Sequence, residues 1–292
     1  MGATVSISSR KTATTGVSTR SLNRIGLGVL TLVTAIAVGY PVYWMVIASL
    51  QPSGTAQIDQ AWLFPAHPSL QAYVEVFTQR QMAMWIANTL LVTGVSTLLA
   101  MGVALLGAYA IARFRFPGRN SVLFFLLLTQ LVPASSLIIP LFLTFRGYGL
   151  YDSLPAIAVA YVSFTVPEAL WVLWGYLQNL SEDFENAAMV DGCTRFGAFW
   201  RITLPLTLPG VAAAALFCFL EGWNQYLLAY VLTSSSANWV VSLGLFSFVG
   251  EYITNVEQMM AASVVASIPS VLLFVILQRY LKGGLTVGGL TG

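Results

Sequence analysis

Charge is the scarcest ingredient of this 292-residue chain. Asp, Glu, Lys and Arg together make up 8% of it, where a soluble domain carries roughly a quarter. A water-facing surface cannot be covered with so few ionic groups, and a lipid-facing one does not need them, so a soluble globule is excluded. Histidine is reduced to His67, and the two cysteines, Cys193 and Cys218, form no CxxC pair. A disulfide framework, a metal site and a His-based catalytic triad therefore all lack their parts. The net charge of +2 is small and the basic residues form no stripe, which excludes a nucleic-acid surface. There is no G-x-x-x-x-G-K-[ST] phosphate cradle, no HExxH and no GxSxG. The chain has no catalytic constellation of its own, and ATP hydrolysis by the usual route needs another polypeptide.

Apolar sequence is what the chain has instead. Hydrophobic residues make up 57% of it, and its mean hydropathy is +0.78. A membrane helix needs about 20 mostly apolar residues, and six stretches reach that length: 25–50, 85–112, 121–142, 155–177, 209–232 and 260–281. None alternates apolar and polar residues as a barrel strand does. The first is longer than a signal-peptide core of roughly 7–15 residues and reads as a retained span. The expected fold is thus an all-α polytopic membrane protein with six transmembrane helices over residues 25–282. A flexible basic tail precedes it at 1–24, rich in Ser, Thr and Arg, and a Gly-rich tail follows at 283–292.

The basic residues set the orientation. Arg10, Lys11, Arg20, Arg24, Arg113, Arg115, Arg119, Arg195, Arg201, Arg279 and Lys282 fall on one side of a six-span arrangement, and Arg80 and Arg146 on the other. The positive-inside rule makes the first side cytoplasmic, with both termini on it. The longest interior segment on that side, about 178–208, contains SEDFENAAMVDGCTRFGAFWRITLPL. Ser181 is placed to cap a short helix, and Glu182 and Asp183 suit its first turn. Gly192 allows a sharp reversal. A second helix follows with Phe196, Phe199 and Trp200 on one face, and Pro205 is expected to stop it.

The pattern Glu185-x-Ala187-Ala188-x-x-Asp191-Gly192, followed by Ile202-x-Leu204-Pro205, resembles the EAA loop of bacterial ABC importer permeases. Three further segments resemble the MalG-type subunits of carbohydrate importers. They are Ala108-Tyr109-Ala110 with Arg113-Phe114-Arg115-Phe116-Pro117-Gly118, Trp223-Asn224, and the ending Gly284-Leu285-Thr286-x-Gly288-Gly289-x-x-Gly292. Together they span most of residues 25–292. Asn186 departs from the Glu or Ala often found there. The resemblance implies a type I ABC importer permease fold in the bacterial cell (inner) membrane. It also implies a coupling helix seated on an ATPase, with Glu185, Ala187, Ala188, Asp191, Gly192, Phe196 and Pro205 at the contact and Glu185 facing a basic residue of the partner. The implied partners are a second homologous permease, an ATPase dimer that holds the ATP and Mg, an external solute-binding protein, and a disaccharide or oligosaccharide as cargo.

Polar groups inside the spans mark candidate path residues, because charge at mid-bilayer is expensive. Glu221, Asn224 and Gln225 share a helical face by spacing, and form either a translocation path or an interhelical network. Glu168 follows Thr165-Val166-Pro167 in a capping-box pattern, which predicts a kink or break near the middle of the fourth span, with Glu168 either marking a transport site or satisfying the backbone donors freed there. Tyr161, Phe164, Trp171 and Trp174 either stack on sugar rings or pack. In the third external segment Trp239, Phe246, Phe248 and Tyr252 would, by the resemblance, reach towards the binding protein, or else be interfacial aromatics. Competing functions are a permease for another polar solute such as an amino sugar or glycerol phosphate, an ion-coupled secondary carrier, and a membrane-embedded enzyme. The first stays close to the resemblance. The carrier leaves the EAA-type loop without a purpose, and the enzyme lacks paired catalytic groups.

Overall fold

A computed structural model describes the backbone of residues 19–52, 64, 67–249 and 255–287, and side chains from residue 26 to residue 280 within these. The chain divides into two units, 1–45 and 46–292. Helix α1 (Thr19–Ser49) begins six residues before the expected span and carries Pro41 inside it. In its apolar stretch the Thr31 and Thr34 hydroxyls donate to the carbonyls of Leu27 and Leu30, each at 2.8 Å, so neither is left as an open donor.

In the second unit the elements follow in order. They are α2 (Gln71–Thr78), α3 (Met82–Arg113), α4 (Arg119–Gln130), a 3₁₀ turn (Ala134–Leu137), α5 (Ile138–Gly147), α6 (Leu154–Gln178), α7 (Asp183–Val190), α8 (Arg195–Ala198), a π turn (Phe199–Thr203), α9 (Leu204–Asn224), α10 (Leu227–Leu232), a second 3₁₀ turn (Ser236–Asn238), α11 (Val241–Phe246) and α12 (Val256–Val287). Among the described residues, five helices are long and apolar enough to cross a membrane. The pair α4 and Ala134–Gly147, bent by 89°, makes a sixth if it is one broken span. The break falls at Leu131-Val132-Pro133, where Pro133 is extended (φ −60°, ψ 128°) and can supply no amide to continue α4.

The centre is built by α3, α6 and α9. Ala100, Ala104 and Ala108 recur every four residues on α3, fully buried, against Leu170, Leu173 and Leu177 of α6 and Ala214 of α9. Lipid offers no hydrophobic drive for helix association, so close backbone approach through small residues carries the packing. Gly210 on α9 shows how close it is: a Cβ there would lie 2.6 Å from Cγ of Tyr176 on α6.

Breaks occur at other places than the sequence suggests. The fourth span, α6, is one uninterrupted helix with Pro167 inside it. Thr165 does not cap a new segment; its hydroxyl donates back to the Tyr161 carbonyl at 2.9 Å. Pro205 does not stop the helix before it. Residues Arg195–Asn224 run on as one span, because the π turn widens the ladder just before Pro205. The Leu204 N–H bonds to the Phe199 carbonyl, and Pro205 falls in the first turn of α9, where a missing amide is tolerated. The fifth span breaks instead after Asn224: Gln225 is extended (φ −71°, ψ 104°) and α10 starts two residues later. At the C-terminus α12 extends five residues into the stretch expected to be tail, and residues 288–292 lie outside the described residues.

Candidate functional site

The end of the bundle that carries Arg113, Arg195 and Arg201 is the candidate coupling site. The N-cap position of α7 falls on Glu182, whose side chain makes no cap bond; Ser181, one residue earlier, accepts the Asp183 amide at 3.2 Å and donates its hydroxyl to the Asp183 carboxylate at 2.9 Å. Helix α7 ends in a Schellman motif: the Cys193 amide donates to the Ala188 carbonyl at 3.0 Å and the Gly192 amide to the Met189 carbonyl at 3.1 Å. Gly192 takes φ +92° there, the left-handed conformation this motif requires. Thr194 then caps α8 by accepting the Gly197 amide at 3.1 Å. The expected helix–turn–helix is therefore present, and each of its turns has a local chemical cause.

Its two faces differ from the expectation. Glu185 faces inward, 3% exposed. Its Oε1 accepts Nε of Arg113 at 2.7 Å and its Oε2 accepts the Tyr109 hydroxyl at 2.9 Å. Both donors stand at the end of α3, one turn apart, so the basic partner of Glu185 belongs to this chain. The Arg113 guanidinium also donates from Nη1 to the Leu177 carbonyl at 3.2 Å and from Nη2 to the Leu180 carbonyl at 3.0 Å, satisfying the end of α6. Burial pushes the Glu185 carboxyl up, but the Arg113 bond, Tyr109 and the Arg113 charge pull it down by more, and it ends below the ordinary carboxylate value. The Thr203 hydroxyl lies close enough to favour the anion, although it falls short of hydrogen-bond geometry. Removing one member of such a pair leaves a buried charge unpaired, at about 3–5 kcal/mol, whereas replacing both by groups that pack is often near neutral.

Ala188 also packs inward, 8% exposed, and Phe199 is buried at 1%; Phe199 lies 4.6 Å from the Tyr109 ring. Ala188 thus lies off the contact face expected of it, and Phe199 parts from the exposed Phe196 and Trp200 with which its spacing grouped it, because α7 and α8 must bury one side against α3 and the π turn. What remains outside is Phe184, Asn186, Ala187, Val190, Asp191 and Gly192 on α7 and its turn, with Phe196 and Trp200 beyond. Val190 is 87% exposed and Phe196 66%. Pro205 is exposed on the flank of α9.

The candidate path residues separate into two concavities. Glu168, half-buried on α6, lines a cavity of about 350 Å³ with Leu126, Leu127, Gln130, Pro167 and Trp171. Asn224 lines another, of about 410 Å³, whose other polar walls are Ser242, Ser263, Ser267 and Ser270. Glu221 is exposed on α9. Gln225 does not continue the face of Glu221 and Asn224, since the helix ends before it; its carbonyl accepts the Tyr161 hydroxyl at 2.8 Å and the Ser242 hydroxyl at 2.9 Å. Tyr161 is thereby a buried structural residue. The serines of α12 recur at i, i+4 and i+7, a polar stripe visible in the sequence but overlooked in favour of carboxylates. Gln130 carries no spacing signal.

At the opposite end, residues 225–249 fold back onto α3 and α6. The Asn88 amide donates to the carbonyls of Ala237 and Trp239 at 2.8 and 2.9 Å, and Thr89 accepts the Val241 amide at 2.7 Å. Asp152, with φ +58°, accepts the amides of Ser234 and Ser235 at 3.0 and 3.1 Å. Burial alone would raise its pKa, but these bonds with those of the Ser235 and Asn238 side chains outweigh it and bring the value down to about 2. Phe248 is buried, 3% exposed, beneath Arg80, and Trp239 packs half-buried at 5.9 Å from Trp85. These two of the four aromatics expected to face a binding protein are thus packing residues. Phe246 is 55% exposed, and Tyr252 lies outside the described residues.

Comparison with known proteins agrees with this architecture. The chain is 32% identical over 253 residues to the sulfoquinovosyl glycerol transport system permease protein SmoH of Agrobacterium fabrum, covering 87% of this chain and 89% of that one. It is 31% identical over 274 residues to the diacetylchitobiose uptake system permease protein DasC of Streptomyces coelicolor, covering 94% and 99%. Among solved structures, a bacterial ABC transporter involved in the import of the acidic polysaccharide alginate superposes with a TM-score of 0.76 at 24% identity, over 92% of this chain and 99% of that chain; this likeness establishes the fold. The family model of binding-protein-dependent transport system inner membrane components matches residues 100–287. With its several apolar spans, the chain is a multi-pass inner membrane protein and belongs to the family of binding-protein-dependent transport system inner membrane components.

Proposed function

We propose that this chain forms half of the translocation pathway of an ATP-driven carbohydrate importer, beside a second, homologous permease subunit. A separate ATPase dimer holding ATP and Mg docks on the outer face of α7 and on Phe196 and Trp200. The observation that carries this reading is the two-sidedness of residues 183–203: the inner face is anchored by the buried Arg113–Glu185 ion pair, while the outer face leaves Phe184, Val190, Phe196 and Trp200 exposed among small residues. Lipid does not explain a surface whose turns carry Asp183, Asn186, Asp191 and Arg195; a protein cleft does. The clustering of basic residues at this end supports a cytoplasmic location for it and for both termini.

A carbohydrate cargo is supported by the relatives named for sulfoquinovosyl glycerol and diacetylchitobiose. The chemistry of the concavities fits: the hydroxyls and amide around Asn224, and the carboxylate, amide and indole around Glu168, suit ligands rich in hydroxyl groups. The exposed Phe246 at the opposite end is the remaining described candidate for contact with a binding protein. The test is uptake of radiolabelled disaccharides by proteoliposomes holding the purified complex. ATP-dependent, binding-protein-dependent accumulation supports the reading. Accumulation driven by an ion gradient without ATP sinks it.

A further inference from the structure

We infer that the buried cluster Tyr109–Arg113–Glu185 is the internal anchor through which movement of α7 is passed to α3 and α6, so that Glu185 is a positioning residue for coupling and not a docking residue. The inference rests on the reading above that an ATPase seats on the outer face of α7.

Three helices meet at one guanidinium. Arg113 is the last residue of α3; its Nε holds Glu185 of α7 at 2.7 Å, and its two terminal nitrogens hold the Leu177 and Leu180 carbonyls at the end of α6 at 3.2 and 3.0 Å. Tyr109, four residues earlier on α3, holds the other carboxylate oxygen at 2.9 Å. Both ionic side chains are 4% exposed. Charge-assisted bonds shielded from water are short and directional, so this junction resists shear where apolar packing would slide. A helix of eight residues such as α7 is marginal by itself and needs such a fixing point to transmit a push. The second helix of the loop joins the same junction: Arg195 lies over the Phe114 ring at 5.1 Å, and Phe199 packs on Tyr109.

The other end of α3 shows where the push would go. Helix α3 has 32 residues, about 48 Å at 1.5 Å per residue. Its first turns grip residues 236–241 through Trp85, Asn88 and Thr89. One rigid element thus holds the coupling loop at one end and the folded-back segment 225–249 at the other. A helix shared by both sites is a physical route by which a displacement at one end can reach the other.

The test uses the full complex in proteoliposomes and reads ATP hydrolysed per substrate molecule imported. Arg113→Met alone should reduce the amount of assembled complex, because Glu185 is left charged and unpaired. The double variant Arg113→Met/Glu185→Gln removes both charges and should restore assembly, yet ATP consumed per substrate should rise by about fivefold, the lower end of usual coupling effects. Tyr109→Phe leaves no charge unpaired and should show the same change in smaller degree; it carries the test if the double variant fails to assemble. If the double variant, or Tyr109→Phe in its place, assembles and imports at the parent stoichiometry, the cluster is a folding element alone and the inference is overturned. A parent complex that contains no ATPase overturns the underlying reading, and the inference with it.

Discussion

Replacing Gly192 by valine should uncouple the loop by a backbone effect with no steric part. The residue sits at φ +92° in the Schellman turn that closes α7, and a Cβ built there meets nothing within 4 Å. A clash is therefore excluded as the cause, and what remains is the left-handed conformation, which costs an L-residue roughly 1–2 kcal/mol. A β-branched side chain lies at the upper end of that range. A penalty of this size lowers the population of the built turn by roughly 5–30-fold. Asparagine tolerates the left-handed region, so Gly192→Asn should stay near the parent. The assay is ATP hydrolysis by the reconstituted complex with and without sugar-loaded binding protein, paired with limited proteolysis across 183–200. The Val variant should lose most of its stimulation and gain cleavage in the loop; the Asn variant should do neither. Equal stimulation and equal protection of the Val and Asn variants would refute the argument that this φ angle matters.

Three further outcomes follow from named contacts. The Glu185 carboxyl lies below its ordinary value of 4.5, so its contribution is complete above that value and is lost as pH falls through the lowered one. Thermal unfolding followed from about pH 6 to pH 3 should show this loss in the parent and a flatter profile in Arg113→Met/Glu185→Gln, with Tyr109 and Arg195 as the other ionisable groups nearby. Asp152→Ala should loosen the segment after α10 by about 1 kcal/mol, since two amides lose a charged acceptor, and hydrogen exchange at Ser234 and Ser235 should rise while Asp152→Asn changes them less. Gly210→Ala should lower thermal stability in detergent by about 1–3 kcal/mol through overpacking against Tyr176; an unchanged melting temperature would contradict the close approach of α6 and α9 at this glycine.

The membrane spans, the clustering of basic residues at one end and the helix–turn–helix of residues 183–203 were legible because each leaves a local mark: apolar length, a bias of Arg and Lys, and a dense short motif. The Gly192 turn was legible for the same reason, since a Schellman motif is closed by residues five apart. Glu185 was misassigned because its partner Arg113 is 72 positions away, and a glutamate in a surface loop gives no sign of which face will turn inward. Phe248 and Trp239 looked like exposed interfacial aromatics; the fold-back of residues 225–249 that buries them depends on Asn88, Thr89 and Asp152, none of which marks its distant partner locally. Proline was the least reliable signal. Pro133 lies extended at the bend between α4 and α5, whereas Pro167 lies within α6 and Pro205 in the first turn of α9 without ending either helix.

The most direct measurement of the central claim is position-specific photo-crosslinking from α7 in native membranes. A crosslinking amino acid at Val190, 87% exposed on the outer face, is compared with one at Ala188, 8% exposed on the inner face. The account predicts that position 190 gives one strong adduct with an ATPase subunit, and that position 188 gives adducts within this chain. Adducts from position 190 confined to lipid or to this chain itself would contradict it.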